Sequence, residues 1–170
     1  TTSEVEDAGI ERPEDFIALT PNVVMANTVN VGDTLVTIRG ITSTRDAESN
    51  FAFVVDGVLQ TNPNAFNREL LDIAQIEVLK GPQGALYGRN ASSGAILITT
   101  KEPSGEGDSR VTVGFGNNDA TKFQYVTDGN LSENIKTRFS VSRRETDGEH
   151  TNVFTNTNNV DFFEDTTIRS

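Results

Sequence analysis

The sequence contains no cysteine, no tryptophan and a single histidine among its 170 residues. Without cysteine there is neither a disulfide nor a thiolate metal site. His150 follows the acidic stretch 145–149, and without a second nitrogen or sulfur ligand a solvated loop is favoured over a metal site. The carboxylates at 161–165 lack the EF-hand spacing. We therefore predict no metal, no cofactor and no catalytic constellation.

Basic residues are also scarce, with 14 Lys and Arg against 25 Asp and Glu and a net charge of −11. This balance argues against nucleic-acid binding, which needs a basic face, and against docking on anionic lipid. No apolar run of about 18 residues predicts a transmembrane helix, but barrel strands need only about 9 to 11 alternating residues. Neither an initiator Met nor a signal peptide is present, so we expect a processed product or a fragment.

Residues 76–100 are the most informative stretch of the sequence. An alternating apolar run stops at Gly81-Pro82, and a short helical stretch at 83–87 follows. That helix ends at Gly88, which suits a positive backbone φ, and a second strand-like run covers 95–100. No Lys-Ser/Thr follows the glycines, and no GxGxxG motif is present, so a phosphate-binding loop is not predicted. The pattern by itself is also typical of a compact αβ unit in a soluble domain.

Shorter apolar runs predict the remaining elements of a small mixed sheet with short helices. Asp56-Gly57 is a hairpin signal within one of these runs. Strands are expected over 34–38, 52–59, 76–80 and 95–100, with a further short strand at 23–25. Helices are expected near 4–8, 13–19, 69–73 and 83–87, and polar loops at 41–50 and 60–67.

Glycine, proline and serine cluster at 102–108, which predicts a boundary between residues 1–103 and 104–170. Beyond it, apolar and polar residues alternate, with turns expected at 117–119 and near 129–133 and a longer loop at 145–163. An ordinary sandwich shows the same alternation, but aromatic residues on one face and charged ones on the other fit an outer-membrane barrel. The outward row is Val111, Val113, Phe115, Phe123, Tyr125, Phe139 and Val141.

Several motifs occur together and in a fixed order: DTLVTIRG, FVVDGV, IEVLKGPQGALYG and SGAILITTKEP. This set closely resembles the plug domain of TonB-dependent outer-membrane receptors, and the resemblance covers nearly the whole chain. The sequence departs from many family members at Ser93, where glycine is common, and at Leu97, where asparagine is common. The motif residues are Arg39, Gly40, Asp56, Gly57, Glu77, Lys80, Gly81, Pro82, Gly84, Tyr87, Gly88 and Gly94.

The resemblance implies an α+β plug domain over 1–103, followed by the first antiparallel strands of a transmembrane β-barrel over 104–170. It implies an outer-membrane receptor for active uptake of a ferric siderophore, cobalamin, haem or a glycan, and no enzyme. The plug would gate the barrel lumen and be reachable from the periplasm. TonB would act through a segment upstream of residue 1, where the plug's first strand is also expected. The rest of the barrel, or neighbouring copies, would complete the strands.

The loops 41–50 and 60–67 are expected at the same end of their strands, which the resemblance turns towards the extracellular vestibule. We predict Arg45, Gln60, Asn62 and Asn64 as substrate-side residues. Arg39, Lys80 and Arg89 could each be a surface charge, and the resemblance implies that Arg39 and Lys80 lie on strands and face the barrel wall or the substrate side.

An alternative interpretation is a soluble α+β binding module, or a self-assembling fragment without transport activity. A soluble module would bury Phe115, Phe123 and Phe139 against a second layer, whereas a transporter fragment would not.

Overall fold

The computed structural model describes residues 2–10, 12–27, 34–43, 49–62, 66, 69–88, 90–148, 150–156, 158, 160 and 162–170. The chain divides into two compact units, Thr1–Lys101 and Glu102–Ser170. Among the described residues, no helix is long and apolar enough to cross a membrane.

The first unit begins with two short helices, α1 (Thr2–Asp7) and α2 (Pro13–Ala18). Proline is suited to the first position of α2 because the backbone N–H that it lacks would have no partner there. The Asp15 carboxylate accepts a hydrogen bond from the Arg12 backbone N–H at 2.8 Å and so caps the helix start. Phe16 and Ile17 are buried, which makes α2 part of the hydrophobic core.

A three-stranded antiparallel sheet follows, formed by β1 (Val23–Asn27), β2 (Thr34–Ile38) and β3 (Ile41–Thr42). Its centre is β2, in which Val36 and Ile38 are buried. The turn from β2 to β3 has φ values of 51° at Arg39 and 81° at Gly40. Positive φ at both central residues gives a tight hairpin, which brings Ile41 and Thr42 back beside β2.

The prediction that 34–38 belongs to the same sheet as the other strands was therefore wrong, as was the assignment of 41–42 to a loop. The remaining strands of the first unit form a separate mixed sheet in the order β5-β4-β7-β6. They are β4 (Phe51–Val55), β5 (Val58–Gln60), β6 (Ile73–Lys80) and β7 (Gly94–Thr100). The pair β4 and β7 is parallel, and the other pairs are antiparallel.

The hairpin predicted at Asp56-Gly57 is confirmed, with φ values of 48° and 79°. The short helix α3 (Gly84–Tyr87) lies between β6 and β7, close to the predicted range. The helix predicted at 69–73 is wrong. Asp72 has a φ of 61°, which a continuing right-handed helix does not allow, and Ile73 already belongs to β6.

Aromatic side chains organise the core of the first unit. The Phe66 ring lies 6.3 Å from that of Phe16, 5.2 Å from that of Phe51 and 5.0 Å from that of Phe53, measured between ring centroids. All three contacts are edge-to-face, the arrangement that the ring quadrupoles favour. The core thus joins α2, β4 and a residue from the connection between β5 and β6.

The described part of the second unit is a four-stranded antiparallel sheet in the order β11-β10-β9-β8. Its strands are β8 (Ser109–Phe115), β9 (Thr121–Ser132), β10 (Ile135–Thr146) and β11 (Phe163–Arg169). Asn118 and Asp119 have φ values of 57° and 51°, which confirms the tight turn predicted there. The turn predicted near 129–133 is displaced, because β9 continues to Ser132 and the chain reverses at 133–134.

Candidate functional site

Three connections of the first unit meet at one end of the mixed sheet. The strand register pairs Phe51 with Gly94, Gly94 with Lys80, and Phe53 with Gln60. The start of β4, the end of β5, the end of β6 and the start of β7 are therefore neighbours. The described residues next to these strand ends, 49–50, 61–62, 81–83 and 91–93, lie at this end, which we call the loop end.

Glycine is needed where the connection from β6 to β7 approaches its neighbours. A Cβ at Gly94 would overlap the backbone carbonyl oxygen of Leu79. At Gly81, which has a φ of 109°, a Cβ would lie 3.3 Å from Arg39 Nη1. The Gly81 N–H also donates to the Ser93 carbonyl oxygen at 2.9 Å. The missing Cβ therefore permits the close backbone approach at Gly94 and the positive φ at Gly81.

Asn50 links two of these connections. Its Oδ1 accepts a hydrogen bond from Ser43 Oγ at 2.9 Å, and its Nδ2 donates to the Ile41 carbonyl oxygen at 3.2 Å. Its carbonyl oxygen accepts from the Ser93 N–H at 2.9 Å and from Ser92 Oγ at 3.2 Å. One residue thus contacts both the end of β3 and the segment that enters β7.

The opposite end of the same sheet is fixed by Asp56. Its Oδ1 accepts a hydrogen bond from the Thr100 N–H at 2.8 Å and from Thr100 Oγ1 at 3.0 Å. The Asp56 N–H in turn donates to the Ile98 carbonyl oxygen at 2.9 Å. The Asp-Gly motif therefore makes the hairpin turn and anchors it to the last residue of β7.

Two of the four predicted substrate-side residues lie at the loop end. Gln60 ends β5, with its Nε2 donating to the Val58 carbonyl oxygen at 3.2 Å, and Asn62 is exposed just beyond it. Arg45 and Asn64 lie outside the described residues, so the set as a whole stays a prediction.

Three further basic residues were singled out from the sequence, namely Lys80, Arg39 and Arg89. Lys80 Nζ donates to the Pro21 carbonyl oxygen at 2.7 Å, which is a structural contact within the first unit. Arg39 is exposed in the turn between β2 and β3. Arg89 lies outside the described residues.

Among the aromatic and acidic motif residues, Tyr87 packs from α3 against a cluster of small buried residues that includes Ala52, Ala91 and Ala95. Glu77 is exposed on β6, where its Oε1 accepts a hydrogen bond from Gln75 at 3.0 Å. Neither side chain is directed by these contacts into a catalytic arrangement. No group of three or more potential metal ligands occurs in the described parts of the chain.

In the second unit, the two faces of the sheet have opposite character. On one face, the register aligns Val111, Tyr125, Val141 and Ile168 in a single row across all four strands. On this face Phe115 is 85% exposed, Phe123 45% and Phe139 39%. On the other face Ser140 and Ser142 are buried, the latter completely. The outward and inward sets therefore follow the predicted alternation.

A buried carboxylate fixes the segment that precedes β8. Asp128 Oδ1 accepts hydrogen bonds from Ser104 Oγ at 3.0 Å and the Gly105 N–H at 2.5 Å. Its Oδ2 accepts from the Ser104 N–H at 2.8 Å and pairs with Arg138 Nη1 at 3.2 Å. Asn130 Nδ2 also donates to the Gly105 carbonyl oxygen at 3.0 Å. Because Asp128 and Asn130 of β9 both hydrogen-bond to this segment, residues 104–105 are held against the sheet.

Neither the hydrogen bonds around Asn50 nor those around Asp128 were predicted from the sequence. For Asn50, the signal in the sequence was its place directly before a dense apolar strand. Ser92-Ser93 have the same place before another strand. For Asp128, the signal was a carboxylate within an alternating strand, facing the same side as Arg138. Neither signal identifies partners that lie many residues away along the chain.

The family model for the TonB-dependent receptor plug domain matches residues 1–95. The chain belongs to this family. The resemblance predicted from the motifs is thus confirmed, and the mixed sheets with few short helices agree with the plug fold. Members of the family are transport receptors rather than enzymes.

Individual relatives support the same assignment for this plug-family chain. It is 28% identical over 133 residues to the pesticin receptor of Yersinia pestis, covering 78% of this chain and 20% of the receptor. It is 27% identical over 158 residues to the vitamin B12 transporter BtuB of Vibrio vulnificus, covering 89% of this chain and 25% of the transporter. The chain therefore spans a fifth to a quarter of the length of these relatives.

Solved structures extend the similarity into the second unit. The ferric yersiniabactin uptake receptor FyuA from Yersinia pestis superposes with a TM-score of 0.72 and 26% identity. The match covers 86% of this chain and 23% of that receptor. The pyoverdine outer membrane receptor FpvA from Pseudomonas aeruginosa, at 22% identity, shares the fold with a TM-score of 0.71. The relatives and structural neighbours are outer-membrane receptors of Gram-negative bacteria, as the motifs predicted.

Proposed function

We propose that residues 1–103 are the plug domain, and residues 104–170 the first barrel strands, of an outer-membrane receptor for active nutrient uptake. The observation that carries this proposal is the inverted burial of the second unit. Its valines and aromatic rings are exposed on one face, while serines are buried on the other. A sheet with this distribution is suited to lipid on one side and a polar lumen on the other.

The substrate class is a scarce nutrient of the kind that the relatives' names record, such as a ferric siderophore or cobalamin. The plug would gate the lumen, and TonB would supply the pull through a segment that precedes residue 1. Charged and hydrogen-bonded contacts suit a plug that must be held and yet be released, since they form about as well with water.

The test of uptake uses the full-length receptor in a strain that lacks its own receptors for these nutrients. We expect ferric-siderophore or cobalamin uptake that requires TonB and the proton gradient, and recovery of the receptor in outer-membrane fractions. Uptake that persists without TonB, or a receptor found only in the soluble fraction, would contradict the proposal.

The test of the substrate side replaces Arg45, Gln60, Asn62 and Asn64 by alanine in the full-length receptor. Gln60 and the exposed Asn62 lie at the loop end, where ligand would meet the plug. We expect weaker ligand binding with unchanged expression, measured by equilibrium binding to whole cells. Unchanged affinity in the quadruple variant would remove these residues from the binding site.

We also propose that further strands complete the sheet of the second unit. Strands β8 and β11 each have one neighbour in the described sheet, and membrane barrels contain at least about eight strands. The rest of the barrel is the favoured partner, and neighbouring copies are the alternative. A monodisperse monomer of 18.4 kDa in detergent-free buffer, with residues 109–144 protected from hydrogen exchange, would contradict both versions.

The exposure of Phe115, Phe123 and Phe139 does not favour the alternative of a soluble binding module, which would cover these rings. Their exposure also gives that alternative a clear test. Partition of the full-length protein into the aqueous phase during detergent phase separation would support it over the receptor.

A further inference from the structure

The chain is hydrogen-bonded on both sides of the boundary between the two units. In the first unit, the Lys101 N–H donates to the Asp72 carbonyl oxygen at 2.9 Å, just after β7 ends. In the second unit, the Ser104 N–H donates to Asp128 Oδ2 of β9 at 2.8 Å. Residues 102 and 103 alone separate these two positions, so the link between the two units is short.

Asp128 holds the second of these positions with both of its carboxylate oxygens. Its Oδ1 accepts from Ser104 Oγ at 3.0 Å and from the Gly105 N–H at 2.5 Å, and its Oδ2 pairs with Arg138 Nη1 at 3.2 Å. Hydrogen bonds to an ionised acceptor are roughly twice as strong as neutral ones. Asp128 is only 5% exposed, which limits competition from water. Together with Asn130, whose Nδ2 donates to the Gly105 carbonyl oxygen at 3.0 Å, Asp128 holds residues 104–105 in what we call the anchor.

Gly105 fits the anchor because it has no side chain. Its φ is 79°, and a Cβ there would overlap Asn130 Oδ1. Gly107 has the same φ of 79°, but no described atom beyond its chain neighbours lies within 4 Å of where its Cβ would be. The two glycines therefore meet the same backbone requirement and differ in their contact with the sheet.

The anchor shortens the free length of chain between the units. An extended chain reaches at most about 10–11 Å from residue 101 to residue 104. Without the anchor, the next described hydrogen bond between this segment and β9 joins the Asp128 N–H to the Asp108 carbonyl oxygen at 2.8 Å. From residue 101 to residue 108 the chain reaches at most about 23–25 Å. Loss of the anchor would therefore more than double the reach of the connection.

We propose that the anchor is a stop that limits how far the plug travels when the receptor is energised. This inference rests on the proposed receptor function, in which TonB pulls from a segment that precedes residue 1. A pull on the first unit passes along the chain through Lys101 and reaches β9 at Ser104. Asp128 is thus a positioning residue, because it acts by setting the length of the connection. Without the anchor, a pulled plug should move farther and open a wider passage, whereas an unpulled plug should stay in place.

The test expresses the full-length receptor with Asp128→Ala in strains with and without TonB. Alanine removes the carboxylate that accepts from the Ser104 and Gly105 amides, so their hydrogen exchange should quicken about tenfold or more. The cells receive the ferric siderophore or cobalamin that the wild type takes up, and vancomycin, a large polar antibiotic, reports leakage. We expect vancomycin entry to rise severalfold only when TonB and the nutrient are both present. Nutrient affinity should equal that of the wild type.

The matched pair of variants is Gly105→Ala and Gly107→Ala. Both place alanine at a φ of 79°, where a side chain is strained. Gly105→Ala also pushes a methyl group against Asn130, so it should open the anchor and leak in the same TonB-dependent way. Gly107→Ala should keep wild-type exchange at 104–105 and should add no leakage.

Several results would overturn the inference. Wild-type leakage in energised cells, once hydrogen exchange shows that the anchor is open, means that the anchor does not limit the plug. Leakage that persists without TonB means that the anchor seals the resting receptor instead. If Asp128→Ala does not reach the outer membrane, the comparison of Gly105→Ala with Gly107→Ala decides alone. A wild-type receptor that takes up neither nutrient contradicts the proposed function, so the two failures are distinguishable.

Discussion

Residues 1–101 and 102–170 use the same alternation of side chains along strands, but they bury opposite kinds. In the first unit Val36, Ile38 and Ile96 are inaccessible to solvent, and Phe66 is enclosed by three other aromatic rings. In the second unit the fully buried positions include Ser140 and Ser142, while Phe115 and Ile168 are exposed.

The contrast shows that a period of two identifies strands but not the medium that each face meets. A water-soluble sheet turns its apolar face inwards because burial of apolar surface contributes roughly 25 cal/mol per Å². In a barrel the lipid itself is the apolar medium that keeps the outward face from water, so a barrel strand presents apolar residues outside and polar ones inside. Paired substitutions within each unit should therefore have unequal effects, and the largest is expected in the core of the first unit.

The first prediction concerns the core of the first unit. Ile96→Ala empties a fully buried position on β7, between β4 and β6, and should lower the free energy of unfolding by about 2–5 kcal/mol. Val58→Ala, at an exposed position of the same sheet, should change it by less than about 0.5 kcal/mol. Chemical denaturation followed by circular dichroism measures both. Equal effects would mean that the first unit lacks the core described.

The second prediction places a charge on each face of the second unit. Val141→Arg puts a cation in the middle of the apolar row and should cost about 2–4 kcal/mol of folding free energy in a bilayer. Thr112→Arg lies on the opposite face at an exposed position of β8 and should cost far less. Folding into lipid vesicles across a urea series gives both values. A larger cost for Thr112→Arg would reverse the assignment of the faces.

The third prediction is local and concerns the segment held by Asp128. In Asp128→Asn, one carboxylate oxygen becomes an NH₂ group, which then faces a backbone N–H of Ser104 or Gly105 instead of accepting from it. We expect faster protease cleavage within 102–108 and unchanged strands elsewhere. Asp119→Asn, in an exposed turn that asparagine also tolerates, is the control and should cleave at the wild-type rate. Equal cleavage in both variants would contradict the role assigned to Asp128.

Local chemistry explains what the sequence could predict. Asp56-Gly57 and Asn118-Asp119 determine turns through their own backbone preferences, and Pro13 marks the first residue of α2. Strand pairing depends on residues far apart in the chain. For this reason 34–38 was assigned to the wrong sheet, although its strand character was predicted correctly.

The stretch 69–73 shows a second limit. Leu70, Leu71 and Ile73 satisfy a helical period and an extended one equally well over so few residues. The positive φ of Asp72 decides between them, and Leu71 and Ile73 on either side of it are both buried.

The candidate site could be predicted only in outline. The loop end follows from strand directions that the sequence indicates, and Gln60 and Asn62 lie there. The hydrogen bonds of Asn50 could not be predicted, because its partners Ser43 and Ser93 come from two different connections.

The central claim is that the strands β8 to β11 present alternate side chains to lipid and to a polar interior. This chain contains no cysteine, so a single cysteine introduced into it reports from one position once any cysteine elsewhere in the membrane-inserted receptor has been replaced. The most direct measurement attaches a fluorophore at 111, 112, 124, 125, 141 and 142 in turn and adds a lipid-soluble quencher. We predict strong quenching at 111, 125 and 141 and weak quenching at 112, 124 and 142. Quenching that is equal at all six positions, or strongest at 112, 124 and 142, would contradict the account.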